Sequence, residues 1–150
     1  MAASTADRFN LPSTPIAFVN MPMAAAAEVF ANTCVMVIDG TGGVLMAADT
    51  ANGIFMGMSR QHVDNSAGLI GVKDIEVTPI AQLGAIEFDA VSPDDSWDGQ
   101  LVYFVDDHIV ALAGTTTHDV VAGRVLTVTK TGASGKVLVD VADRQATVHA

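Results

Sequence analysis

Cys34 is the sole cysteine in this 150-residue chain, so no disulfide can form within it. Nothing beside it in sequence supplies a base to activate a thiol, so it reads as a small buried hydrophobe. Basic residues are scarce too. Seven Lys and Arg against 17 Asp and Glu leave a net charge of −10. Nucleic-acid binding needs a positive footprint, and these scattered cations do not provide one. An acidic surface favours solubility or a basic partner instead. Aromatics make up only 5% of the chain, so its core must come from small and β-branched side chains. No apolar run approaches the roughly 18 residues that a membrane helix needs, so no membrane partner is expected. Residues 1–8 lack the basic start and apolar stretch of a secretory signal, which points to synthesis in a cytoplasm.

What is present is apolar and weakly charged: 50% hydrophobic residues against 16% charged. That balance disfavours disorder. For a soluble protein it also implies extra buried surface between subunits. The length suits one domain, or one domain with a tail. Residues 1–23 read as an extended N-terminal arm, because Pro12, Pro15 and Pro22 each fix φ and remove a donor. The arm still carries Phe9, Leu11, Ile16, Phe18, Met21 and Met23, the candidate partner-interface residues. It either folds back on its own domain or docks on another molecule. Residues 24–150 read as a single β domain opened by one short helix near 24–31, where four alanines favour helix.

From residue 35 the pattern is short strands. Val35–Ile38, Val44–Ala48 and Ile54–Met58 are apolar runs separated by turn chemistry, including Asn52-Gly53, a strong hairpin signal. Residues 62–71 read as a polar loop. Val72–Thr78 and Gly84–Ala90 alternate apolar and polar, the period of strands buried on one face. Leu101–Val105, Ile109–Ala113, Val120–Lys130 with an irregularity at Gly123, and Lys136–Ala142 follow. About eight or nine strands at a spacing of roughly 8–12 residues is the signature of an all-β sandwich or barrel.

No catalytic, metal or cofactor residues are assigned. Asp94, Asp95 and Asp98 before Gly99 lack the alternation and terminal Glu of a helical calcium loop, and read as a solvated turn. His62 with Asp64, Asp106-Asp107-His108, His118-Asp119 and His149 show no metal-ligand spacing. Ser59, Ser66 and Ser134 stand in no nucleophile elbow, although a triad can assemble from distant residues. The glycines sit between strands, not at the start of a helix, so they match no phosphate or dinucleotide loop. Trp97 and Tyr103 could form a sugar platform, but core or rim packing is the default.

The order of several short motifs carries a resemblance. Gly53-Ile-Phe-Met-Gly-Met58, then Gln61-His-Val-Asp-Asn-Ser-Ala-Gly68, then an alternating strand, resembles the small capsid decoration, or cement, proteins of tailed bacteriophages. Gly99-Gln-Leu-Val-Tyr103 before an Asp-rich turn, and Ala122-Gly-Arg-Val125 before two closing strands, continue it, so that it covers about residues 35–142. The resemblance implies a small β-barrel or β-tulip domain without enzyme activity. It implies binding to the major capsid protein lattice on the capsid exterior of the virion, often as a homotrimer. A carbohydrate-binding or adhesive β domain displayed on a virion is the alternative. A hydrolase would need a His bonded to both an acid and a Ser or Cys.

Overall fold

The computed structural model describes residues 17–143. Their strands are β1 (Val19–Pro22), β2 (Ala27–Val29), β3 (Cys34–Ile38), β4 (Val44–Met46), β5 (Gly53–Ser59), β6 (Val63–Asn65), β7 (Asp74–Pro79), β8 (Ala85–Ala90), β9 (Leu101–Phe104), β10 (Ile109–Ala111), β11 (Val121–Lys130) and β12 (Gly135–Asp140). Two 3-10 turns, Ile80–Gln82 and Asp95–Trp97, are the helical elements among them. The fold is all-β, as the spacing predicts, but with 12 strands among the described residues where about eight or nine were expected, because short paired segments such as β1, β2 and β6 carry no period-two pattern.

The first half of the chain forms an antiparallel sheet in the order β1-β7-β5-β3-β4, plus a two-stranded ribbon of β2 and β6. The second half closes into a five-stranded barrel, β10-β8-β12-β11-β9, in which β10 runs parallel to β8. Closure leaves the barrel without a free edge. The ladder between β9 and β11 slips between Val121 and Gly123, the irregularity expected at Gly123.

Alternation along β3 explains how the layers stack. Cys34, Met36 and Ile38 face the barrel, whereas Val35 and Val37 face the opposite way, towards Met23, Val29 and Val44. The sheet is thus the middle layer between two cores. Each fully buried Val, Ile or Phe contributes roughly 1.5–3 kcal/mol. On β5 a bulge at Met56 shifts the register, pairing Phe55 with Met36 and Met58 with Cys34. Phe55 and Met58 therefore both reach the barrel side despite their odd spacing. Gly57 lies opposite Val35 and Pro79, and a Cβ there would stand 2.0 Å from the Thr78 carbonyl oxygen.

The structure corrects four expectations. Residues 24–31 form no helix: a turn leads into β2, with Ala26 at φ 54°. The amides of Ala24 and Ala26 donate to the carbonyls of Val44 and Gly68, and Val29 is fully buried, so tertiary partners outweigh a weak local propensity. Within the supposed arm, residues 19–22 are a paired strand and Met23 is a core side chain, so this part folds back on its own domain. The loop at 62–71 contains β6. Asn52-Gly53 does make a turn, with Asn52 at φ 59°, but the flanking β4 and β5 do not pair; β3 lies between them.

Candidate interaction surface

β1 is an edge strand of the sheet, and its chemistry follows from alternation. The Met23 amide donates inward to the Lys73 carbonyl at 2.8 Å. Its neighbour Pro22 therefore turns its missing donor towards the free edge, where no ladder bond is lost. Phe18, immediately before the strand, is 40% exposed, and the Arg60 guanidinium lies 4.7 Å from its ring centre. This cation–π contact holds an apolar ring at the surface. The exposed Phe30 ring stacks on His62 at 4.6 Å, and His62 Nε2 lies 2.8 Å from Glu28 Oε1.

At the other end of β1 the loop before β7 presents Leu69, 75% exposed, Ile70, and Val72, 65% exposed. The loop is held against the chain that follows β1: the Gly71 amide donates to the Met23 carbonyl at 3.0 Å. Asn65 holds it from beneath, its Nδ2 donating to the carbonyls of Ala24 and Leu69 at 2.9 and 3.0 Å. Large apolar side chains held at the surface in this way make the loop a candidate contact surface. Sequence reasoning passed over them, although Leu69-Ile70 between Gly68 and Gly71 is an apolar pair within a polar loop.

Of the candidate interface residues, Phe9, Leu11 and Ile16 lie outside the described residues. Phe18 is at the surface, Met21 is half-buried against the second core, and Met23 is 0% exposed. Met23 thus stabilises its own domain and has no surface to offer a partner.

The other motifs serve the fold. Trp97 is buried in the barrel core, which removes it from any sugar platform. Asp94 accepts the Ser96 amide at 2.8 Å, and Asp98 that of Val128 at 3.0 Å. Asp49 accepts the amides of Thr117 and His118 at 2.7 and 2.8 Å. His149 lies outside the described residues. Ser59 is buried and donates its hydroxyl to the Phe30 carbonyl, while His62 meets Glu28 and, among the described residues, no Ser or Cys. Burial, reinforced by the charge of Asp107, pushes the Cys34 thiol up to about 12, so it is protonated at neutral pH.

Asp106, Asp107 and His108 bring three ligand-type atoms within 4.8 Å of one another at the β9–β10 turn. Asp106 Oδ1 accepts the amides of His108 and Ile109 at 3.0 and 3.1 Å, which shapes the turn. The bond to Asp107, helped by the charges of Asp106, Asp107 and Asp89 and opposed by burial, leaves His108 titrating above its ordinary value.

Among the described residues no helix is long and apolar enough to cross a membrane. Searches for similar proteins found no matching family model, curated protein or solved structure.

Proposed function

We propose that the protein decorates the outside of an assembled tailed-phage capsid and stabilises it, acting as a non-enzymatic cement protein and as a homotrimer. The observation that carries this reading is the outer edge of β1, which pairs with no other strand among the described residues and is flanked by exposed Phe18 at one end and by Leu69, Ile70 and Val72 at the other. The apolar residues Phe9, Leu11 and Ile16 precede that edge in sequence. A surface of this kind gains by closing a seam between subunits, since unpaired strand groups and exposed apolar groups are both satisfied by a partner. The order of motifs between residues 35 and 142 supports the same reading. The barrel and its sheet are taken as the tulip-like module of that resemblance.

The mechanism is linkage. A protein that binds only the assembled lattice biases that lattice against disassembly, and trimer valency multiplies weak contacts into avidity. The test is co-sedimentation of the purified chain with undecorated phage heads, together with its mass in solution by light scattering. Saturable binding and a raised temperature of head disruption are expected. A monomer that leaves heads undecorated would sink the reading.

A further inference from the structure

Of the five asparagines in the chain, only Asn52 is followed by glycine. That pair is chemically labile, because a glycine nitrogen has no side chain beside it to hinder its approach to the preceding side-chain amide. The fold nevertheless calls for both residues. Asn52 stands at φ 59°, a left-handed conformation that Asn tolerates better than most residues. A Cβ at Gly53 would lie 2.9 Å from Met36 Sδ and 2.9 Å from Val120 Cγ2. Val120 is buried and branched, so it cannot step aside.

The turn that carries the pair is pinned. The Gly53 amide donates to the Thr50 carbonyl at 3.1 Å, and the Asn52 carbonyl accepts the Asp39 amide at 2.8 Å. Gly53 also stands opposite Ile38 in the β3–β5 ladder. At the entry to the turn, the Asp49 carboxylate takes the amides of Thr117 and His118. Asn52 itself is exposed, so water reaches it.

We infer that Asn52 is a spontaneous modification site whose rate the fold controls. The Gly53 nitrogen attacks Asn52 Cγ and closes a cyclic imide. The Cγ–Nδ2 bond breaks, and ammonia leaves with the proton that Gly53 gives up. Water then opens the imide at either carbonyl, which yields aspartate or isoaspartate. Ring closure needs the Gly53 N–H released from Thr50 and the Asn52 peptide turned away from Asp39. It therefore proceeds through local opening of the turn. Aspartate adds a negative charge. Isoaspartate also adds a methylene to the main chain where β5 begins, and so displaces Gly53 from Ile38. The inference goes beyond the capsid reading and does not depend on it.

The test incubates the full chain at mildly alkaline pH, folded or in urea, and follows it by peptide mass mapping with isoaspartate detection. In urea, Asn52 should convert ahead of every other asparagine. In the folded protein the same site should convert at least about tenfold more slowly, because two hydrogen bonds must open first. Asp49→Ala frees the turn from the amides of Thr117 and His118. It should raise the folded rate several-fold and leave the rate in urea unchanged. Asn52→Gly places a residue that accepts positive φ, so it should fold normally and gain no mass at this position. Equal rates folded and in urea, or earlier conversion of another asparagine in urea, would overturn the inference. An unaltered folded rate in Asp49→Ala would do the same; if that variant does not fold, the wild-type comparison decides.

Discussion

The Phe55 ring on β5 meets the Phe104 ring on β9 edge-on, with centroids 4.9 Å apart and planes at 66°. Phe104 also meets Phe88 on β8 at 5.8 Å. The first contact joins the sheet to the barrel, and the second continues it inside the barrel. Phe104→Ala should cost about 3–5 kcal/mol. Because the two rings share a contact, Phe55→Ala with Phe104→Ala should cost less than the sum of the single changes. Urea unfolding of the four-member cycle checks this, and full additivity would mean that the seam is not coupled through these rings.

Gly57 admits no side chain. An added methyl would press on the Thr78 carbonyl at 2.0 Å, and a strand backbone cannot yield as a flexible side chain can. Gly57→Ala should therefore reach or exceed the upper end of the about 1–3 kcal/mol usual for overpacking. A wild-type melting temperature in this variant would show that β5 and β7 lie further apart than described.

The boundary of the N-terminal segment matters for any truncation. Deleting residues 1–16 leaves every described core residue in place, whereas deleting 1–23 removes β1 and the fully buried Met23. The shorter deletion should keep the urea midpoint and reduce head binding. The longer one should lose at least the about 2–5 kcal/mol of a large core side chain. Equal midpoints for the two would show that β1 contributes nothing to the fold.

Cys34 should be inert in the native protein. It is 1% exposed and its thiol stays protonated well above neutral pH. A thiol reagent such as dithionitrobenzoate should label it at pH 8 only after denaturant is added. Rapid labelling of the folded protein would contradict its burial.

His108 offers a pH handle. Its raised pKa means that the folded state holds the proton more tightly than the unfolded chain does. The stability it contributes is fully present below the unfolded value, near 6.5, and disappears as pH rises through the higher folded value. Asp107→Asn removes the largest cause and should lower the His108 midpoint, read from its imidazole resonances. An unchanged midpoint would show that the Asp107 bond is absent in solution.

Much of this was legible because strand chemistry is local. In β7, Ile75 and Val77 alternate with Asp74, Glu76 and Thr78, and the buried face follows directly. In β12 and just past its end, Val137, Val139 and Val141 mark the barrel interior in the same way. The candidate surface was less legible. Phe18 stood out as apolar among prolines, but Met23 looked the same in sequence and lies at 0% exposure. Leu69 and Val72 were hidden the opposite way, since an apolar residue beside a strand is ordinarily taken for core.

Period-two patterning and turn residues by themselves determined most of the strands from residue 35 onward, β6 excepted, that the class is all-β, and that the chain is acidic. Those properties depend on neighbours within a few residues. Strand order was decided only in three dimensions: β3 lies between β4 and β5, and the barrel closes through β8 and β10. So was the fate of the alanine segment, whose backbone found partners at Val44 and Gly68. Such pairings depend on contacts between residues far apart in the chain, and a weak local preference yields when those contacts bury Val29 and Met23.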